Sequence, residues 1–107
     1  RNSNEDFSLI VSTASVDIDL QTYYWIGGSG DWSDPTNWSL TSGGNLANAI
    51  PSINNLVIFD SNSFADTVNT INLTSQANCY SINYYTTDSC IINLSAFTLN
   101  IDGSVFD

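Results

Sequence analysis

The chain of 107 residues contains no lysine, no histidine and no methionine, and its only basic residue is Arg1. Eleven aspartates and glutamates oppose that single positive charge and give a formal net charge of −10 at pH 7. Nucleic acids and anionic lipids are bound through lysine and arginine, which neutralise phosphate groups. We therefore expect no nucleic-acid partner. We also expect no membrane insertion, because no apolar run approaches the roughly 20 residues that a membrane-spanning helix needs.

The same absences bear on catalysis. Without histidine or lysine the chain lacks the commonest general base and the Schiff-base nucleophile, and it contains no Gly-x-Ser-x-Gly motif. Carboxylates remain, and Asp60, Asp66, Asp88 and Asp102 are the candidates for a glycosidase pair, which must face each other across a cleft. Scattered surface acids usually serve solvation, so we expect this segment not to be an enzyme.

Cysteine is also scarce, since Cys79 and Cys90 are the only two. They lack the Cys-x-x-Cys spacing of zinc and redox sites, and no histidine is present to complete a metal set. In an oxidising compartment the pair can form a disulfide that closes a short loop. The alternative is two small buried side chains in separate strands. The sequence leaves both readings open.

What the chain has in quantity is small polar residues: 16 serines, 14 asparagines and 10 threonines. Threonine suits strands and asparagine suits turns, whereas strong helix formers are nearly absent. Hydrophobic residues make up 42% of the chain, which is too many for a disordered segment. The composition predicts an all-β, secreted protein.

A short pattern of the form apolar–Asn–apolar recurs in the second half of the chain. In a strand the two apolar residues point inward and the asparagine points outward. The segments are Ile71-Asn72-Leu73, Ile82-Asn83-Tyr84, Ile92-Asn93-Leu94 and Leu99-Asn100-Ile101. The strands are short and no Asn-Gly or Asp-Gly hairpin turn separates them. This favours a right-handed parallel β-helix-like solenoid opened by a tryptophan-rich cap, with an antiparallel β-sandwich as the alternative.

Two parts of the chain are distinguished. Residues 1–22 include the alternating stretch Val16–Leu20, and they are interpreted as the end of a preceding β domain or as a lead-in strand. Residues 23–107 are interpreted as the capped start of a β-helical domain, which we expect to continue beyond residue 107.

Three tryptophans, the only ones in the chain, lie within the stretch YYWIGGSGDWSDPTNWS at residues 23–39. Glycine-rich and Asp-Pro turns between them allow Trp25, Trp32 and Trp38 to come together. One interpretation is a structural cap, which covers the apolar end of a solenoid. The other is a glycan contact, in which Trp32 and Trp38, with Tyr84 and Tyr85, stack on sugar rings.

Calcium is the only cofactor with any support in the sequence, and that support is weak. Asp31 and Asp34 supply oxygen ligands, but their spacing matches neither an EF-hand nor a calcium-binding nonapeptide repeat. The alternative is that Asp34 shapes an Asx-type turn before Pro35. Apart from this weak candidate we expect no metal and no cofactor.

Several of these motifs also occur together in one family. The order of motifs resembles a segment of large cell-surface adhesin-like proteins of gliding and other Bacteroidetes. The resemblance covers residues 23–107 and rests on the opening Trp25–Trp32, the triplet Asn37-Trp38-Ser39, the strand ending in Phe59-Asp60, the strand containing Cys79, and Leu99–Ser104. Cys90 departs from the family pattern, which leaves open whether Cys79 is paired.

The resemblance implies a non-enzymatic structural or adhesive segment of a secreted bacterial surface protein, exported by type IX secretion and used in gliding or surface attachment. Its partners would be a cell-surface or environmental polymer such as a polysaccharide, and components of the secretion machinery during export. The alternative function is a carbohydrate-binding module of a secreted polysaccharide-active protein.

Overall fold

The computed structural model describes residues 21–103, 105 and 106. These residues form ten short strands and one turn of 3-10 helix, Pro35–Asn37, and they include no helix long and apolar enough to cross a membrane. The strands are β1 (Thr22–Trp25), β2 (Gly30–Asp31), β3 (Trp38–Ser39), β4 (Leu56–Phe59), β5 (Val68–Asn72), β6 (Ala77–Cys79), β7 (Ser81–Tyr84), β8 (Ser89–Asn93), β9 (Leu99–Ile101) and β10 (Val105–Phe106). The prediction of an all-β protein is confirmed. The strand predicted at Val16–Leu20 lies outside the described residues.

The ten strands form three sheets. One sheet has five strands in the order β10-β7-β4-β1-β3, a second has three in the order β2-β5-β8, and the third is the pair β6-β9. All the described strand pairs are parallel except one. The exception is β3, which lies antiparallel to β1 and places Trp38 opposite Trp25.

The chain visits the three sheets in a repeated order. The strands β4, β5 and β6 belong to the five-, three- and two-stranded sheets, and β7, β8 and β9 follow the same order. We call each such passage a circuit, so that β1 and β2 begin the first circuit and β7–β9 form the third. Partners in successive complete circuits are 21 to 25 positions apart, as in Ile71 with Ile92 and Leu56 with Ser81. The apolar–Asn–apolar segments recur at shorter intervals because consecutive segments lie in different sheets.

One hydrophobic cluster draws buried side chains from all three sheets. Along β4 and β6 buried and less buried residues alternate, with Val57 and Phe59 buried in one and Ala77 and Cys79 in the other. This alternation follows from the pleat of a strand, which sends successive side chains to opposite faces.

The apolar–Asn–apolar segments mostly have the predicted orientation. Ile71 and Leu73 are buried on either side of a half-buried asparagine. Leu94 differs, because β8 ends before it and it lies exposed in the following turn. The outward asparagines form two cross-strand hydrogen bonds of 3.3 Å, in which Asn93 Nδ2 donates to Asn72 Oδ1 and Asn100 Nδ2 donates to Asn78 Oδ1.

The two ends of this arrangement differ. At the first, here called the capped end, β3 covers the edge of β1, and the following loop bridges back to β3 between Ser39 and Leu46. At the other, here called the open end, β8, β9 and β10 are each the edge strand of a sheet. The inward residues of the open end are less buried than their counterparts in the second circuit: Cys90, Ile92, Leu99 and Ile101 are half-buried, and Val105 is 58% exposed.

Candidate functional site

The three tryptophans lie together at the capped end. The ring centroid of Trp38 is 5.0 Å from that of Trp25 and 4.8 Å from that of Trp32, and both contacts are edge-to-face. Their exposed fractions are 0%, 1% and 0% in the order Trp25, Trp32, Trp38. Such aromatic pairs stabilise a fold by about 0.5–1.5 kcal/mol each beyond their buried area. A sugar ring stacks on an exposed aromatic face, and the buried indoles offer none.

Indole hydrogen bonds fix the loops around this cluster. Trp25 Nε1 donates to the carbonyl oxygen of Gly28 at 2.8 Å, and Trp38 Nε1 donates to that of Trp32 at 2.8 Å. The Nε1 atom of Trp32 is buried and has no hydrogen-bond partner among the described residues. The two bonds hold the glycine-rich turn and the chain at Trp32 against the rings, so the cluster organises the backbone as well as the core.

The glycines of the motif are explained by Asn37. A Cβ atom on Gly27 would lie 2.5 Å from Asn37 Cγ, and one on Gly30 would lie 2.7 Å from Asn37 Nδ2. Real Cβ contacts are not that short, so the Asn37 side chain requires glycine at both positions. Gly28 between them has φ of +63°, a left-handed conformation that glycine adopts without strain. Asn37 Nδ2 also donates to the carbonyl oxygen of Asp31 at 3.0 Å, which closes the loop.

Asp34 has the turn-forming role that the sequence offered as the alternative to calcium. Its Oδ1 accepts hydrogen bonds from Thr36 N at 2.9 Å and from Thr36 Oγ1 at 2.7 Å, at the start of the 3-10 turn. These bonds hold the pKa of the Asp34 carboxyl below its ordinary value, the side-chain bond contributing most. Asp31 ends β2 with its side chain exposed. Among the described residues no group of three or more potential metal ligands of the His, Cys, Asp and Glu types is present.

A second polar network joins the capped end to the strand β4. Asp60 Oδ2 accepts from Ser42 Oγ at 2.6 Å, and Asp60 Oδ1 accepts from the backbone of Asn62 at 2.9 Å. The buried Ser63 donates its backbone N–H to the Asp60 carbonyl and accepts from Gly28 N at 2.9 Å. The carboxylate that was a catalytic candidate in the sequence therefore joins the loop after β3 to the turn after β4, and the Ser63 carbonyl joins that turn to the glycine-rich turn.

The other candidate carboxylates are dispersed. Asp66 lies just before β5, where its carbonyl oxygen accepts a hydrogen bond from Asn69 Nδ2, whereas Asp102 follows β9 and is exposed. Asp88 lies in the turn before β8, where its backbone N–H bonds to Thr86 Oγ1.

Aromatic contacts extend from the tryptophans towards the open end. Trp25 lies 6.5 Å from Phe59 between ring centroids, and Phe59 lies 5.6 Å from Tyr84. Phe64 stacks on Phe59 at 5.8 Å with an interplanar angle of 6°. Tyr84 Oη donates to the carbonyl oxygen of Asp88 at 2.6 Å. Of the two tyrosines proposed for glycan contact, Tyr84 is thus half-buried in this row of rings, and Tyr85 is 65% exposed.

Both cysteines are free thiols, on the strands β6 and β8. They lie on separate strands and form no disulfide with each other, with Cys79 buried and Cys90 half-buried. Cys79 is fully buried, and burial raises the pKa of its thiol to about 11. Burial also raises the pKa of the half-buried Cys90, and a hydrogen bond with the Tyr84 side chain offsets part of that rise. Neither environment favours the thiolate that a catalytic cysteine needs.

A cleft of about 420 Å³ opens beside Cys90 at the open end. Its walls come from the strands β7, β8 and β10 and from the turn between the first two. They are Ile82, Tyr84, Thr86, Thr87, Asp88, Ser89, Cys90 and Val105. Within this lining Asp88 is the single carboxylate.

Two residues that hold the loops of the capped end together, Asn37 and Ser63, were not predicted from the sequence. Asn37 was noted only as part of a triplet, and Ser63 was not singled out. The signal for Asn37 was the pair of glycines at 27 and 30, whose purpose is to leave room for its side chain. Ser63 carried no comparable signal, since its role depends on the approach of Gly28 from a distant part of the chain.

Comparison with known proteins gives no relative: no family model, no curated protein and no solved structure matches this chain.

Proposed function

We propose that this chain is a non-enzymatic structural and adhesive segment of a secreted bacterial cell-surface protein, in which the tryptophan cluster begins a parallel β-helical unit. The observation that carries the proposal is the contrast between the sealed tryptophan end and the parallel strands that follow it. The motif resemblance to surface adhesins supplies the cell-surface setting and the export by type IX secretion.

The repeated order of sheets supports the β-helical interpretation. Each complete circuit passes through three sheets, and its strands align in parallel register with those of the next. Parallel pairs need long connections, which here run through the other two sheets. Inward side chains from three sides form one core, and in two of the sheets one outward asparagine pair joins the second circuit to the third.

The tryptophan cluster fits the role of a cap on this unit. An uncapped end exposes both apolar side chains and strand edges, which promotes aggregation. The antiparallel strand β3 occupies the edge of β1, and Trp38 fills the space between Trp25 and Trp32. Capping elements at the ends of repeat proteins serve the same purpose.

The adhesive face is the outward side of the three-stranded sheet. Val68 and Ile91 are strongly exposed there, on neighbouring strands, and Thr70 and the pair Asn72–Asn93 adjoin them. Mixed apolar and amide side chains on a stiff sheet suit contact with a neutral polymer such as a polysaccharide. Because the chain has a net charge of −10, an anionic surface is a poor partner.

The test is a depletion assay with insoluble polysaccharides, combined with measurement of released reducing ends. We expect retention of the purified chain on the polymer, no released sugar, and weaker retention of Ile91→Ser at an unchanged melting temperature. Leu94→Ser is the matched control, because Leu94 is also exposed but lies outside the sheet face. Released sugar would contradict the non-enzymatic assignment, and equal retention of both variants would contradict the assigned face.

The carbohydrate-binding alternative is favoured by one observation, the exposed ring of Tyr85. A module of that kind binds a soluble oligosaccharide saturably. Loss of such binding in Tyr85→Ala, with Ile91→Ser unaffected, would select this alternative over the adhesive face.

A further inference from the structure

We infer that the outward face of the five-stranded sheet is an interaction surface, and that it binds the apolar stretch Phe-Ser-Leu-Ile-Val at residues 7–11 of the same chain. That stretch lies outside the residues that the structure describes. The surface is separate from the face assigned to the polymer, which belongs to the three-stranded sheet, so either assignment can fail without the other.

Three apolar side chains make up this surface, here called the outer patch: Tyr24 of β1 and Leu56 and Ile58 of β4. Tyr24 aligns with Ile58 across the parallel pair, where neighbouring strands are about 4.8 Å apart. Val57, between Leu56 and Ile58, is fully buried in the core, so the pleat points its two neighbours outward. The outer patch is therefore a continuous apolar area on the outside of the sheet.

The strand β4 differs on this side from β5, the central strand of the three-stranded sheet. The outward positions of β5 include Thr70 and Asn72, which are polar, whereas β4 is apolar at all four positions. Parallel strands that are apolar throughout are typically covered on both faces. The outer patch therefore requires an apolar cover, and residues 7–11 supply four apolar side chains.

The outer patch is also an uncharged area on a strongly acidic chain. The residues aligned with it across the sheet are uncharged as well: Thr22, Ser39, Ser81 and Asn83. Residues 7–11 carry no charge either, so their contact with the outer patch brings no carboxylates together. A second copy of the chain would bring a further net charge of −10 to the same surface, which opposes association.

The outer patch is within reach of residues 7–11 because the chain enters the sheet beside it. The carbonyl oxygen of Gln21 accepts a hydrogen bond from Leu56 N at 3.0 Å. Residues 12–20 connect the apolar stretch to Gln21 and can span up to about 30 Å. Ile58 lies only about 7 Å along β4 from Leu56. The connection is thus long enough for residues 7–11 to lie across all three side chains of the outer patch.

The direct test is a nuclear Overhauser experiment on the isotope-labelled full chain. We expect cross-peaks between the ring protons of Tyr24 and the methyl groups of Leu9, Ile10 or Val11. Their absence would overturn the inference, and this measurement needs no variant. Cross-peaks that arise only between labelled and unlabelled chains in a mixed sample would also overturn it, in favour of a second copy.

The second test measures how accessible the outer patch is to a soluble paramagnetic agent. In Ile10→Asp we expect the paramagnetic relaxation of the Leu56 and Ile58 methyls to rise about twofold or more, because a carboxylate is not accommodated in an apolar contact. Equal relaxation in Ile10→Asp and the unmodified chain would overturn the inference.

The matched control is Asn2→Asp, which adds the same charge outside residues 7–11 and should leave the relaxation of the Leu56 and Ile58 methyls unchanged. An equal rise in both variants would overturn the inference, since the added charge alone would then account for it. The methyls of Val68 and Ile91, exposed on the other sheet, are the internal reference. Polymer retention is tested through Ile91→Ser and does not depend on residues 7–11, so the proposed function is judged separately.

Discussion

The capped end and the open end belong to the same set of sheets but differ in how their core is closed. At the capped end three indoles and an antiparallel strand cover the first circuit, and the rings are almost inaccessible to solvent. At the open end aliphatic side chains on three strand edges are only half covered. The comparison shows that the apolar side chains at one end of the sheets are fully covered where an additional segment, the one that carries the three tryptophans, packs on them. Strand residues alone leave a cleft.

The largest expected effect is the removal of a central cap residue. Trp38→Ala should lower the free energy of unfolding by about 3–5 kcal/mol, because it removes a fully buried ring and two edge-to-face contacts. Ile92→Ala at the open end is the comparison, and its loss should be about 1–2 kcal/mol, since Ile92 is half-buried. Urea unfolding followed by circular dichroism measures both. Equal losses of unfolding free energy would mean that the core side chains at the two ends do not differ in burial.

The next effect concerns Gly27 and Gly30, whose lack of a Cβ atom leaves room for the Asn37 side chain. Gly30→Ala should cost about 1–3 kcal/mol through overpacking against Asn37 Nδ2. In the double variant Gly30→Ala/Asn37→Ala most of the clash is gone, so the two losses should not add.

Gly27→Ala provides the control for this cycle. Its Cβ would also lie 2.7 Å from Asn37 Cβ, an atom that alanine retains, so Asn37→Ala should not rescue it. Rescue at both glycines, or at neither, in urea unfolding would refute the assigned contact.

A smaller effect is expected at alkaline pH. The folded state holds the Cys79 proton to a pKa of about 11, against an ordinary value of 9.0. The resulting stabilisation is complete below pH 9 and is lost as the pH rises towards 11, because the unfolded chain releases the proton first. Cys79→Ala should therefore show a shallower decline in stability over this range than the unmodified chain. Identical pH profiles would contradict burial of the thiol, and Cys90→Ala serves as the variant with a half-buried thiol.

The smallest effect is local to Asp34. Its carboxyl should titrate below the ordinary value of 3.8 in a carbon-detected NMR titration, and Thr36→Ala should move the pKa back towards that value. The direction follows because the Thr36 hydroxyl bonds to the ionised carboxylate. The stabilisation from this bond is present above pH 3.8 and is lost as the pH falls through the lower folded-state pKa. Thr41→Ala, elsewhere in the capped end, should leave the Asp34 titration unchanged.

Much of the strand content could be predicted because it follows from local pattern. The near absence of helix and the outward direction of Asn72 follow from composition and from the apolar–Asn–apolar pattern, which act over a few residues. The sheet order could not be obtained in this way. Strands 21 to 25 positions apart pair across intervening segments, and the recurring triplets suggested a shorter interval.

The tryptophan cluster and the loops around it could also be predicted only in part. The meeting of Trp25, Trp32 and Trp38 followed from the turns between them, and the Asx turn at Asp34 was one of two stated alternatives. The fastening role of Asp60 was not predictable, because Ser42 reaches it from 18 positions away. That contact depends on the path of the loop after β3, which no short-range pattern determines.

The parallel register also determines how many residues the protein uses to advance from one strand to its neighbour in the same sheet. Moving from Leu56 to its partner Ser81 takes 25 positions, yet neighbouring strands are only about 4.8 Å apart. A fully extended chain covers the same distance with one or two residues, at about 3.3 Å each. The architecture therefore uses many residues for each ångström gained along the stacking direction. In return those residues form a wide and stiff lateral surface. A segment of this kind is suited to presenting a broad, rigid side wall, and reach away from a surface is supplied more economically by other kinds of chain.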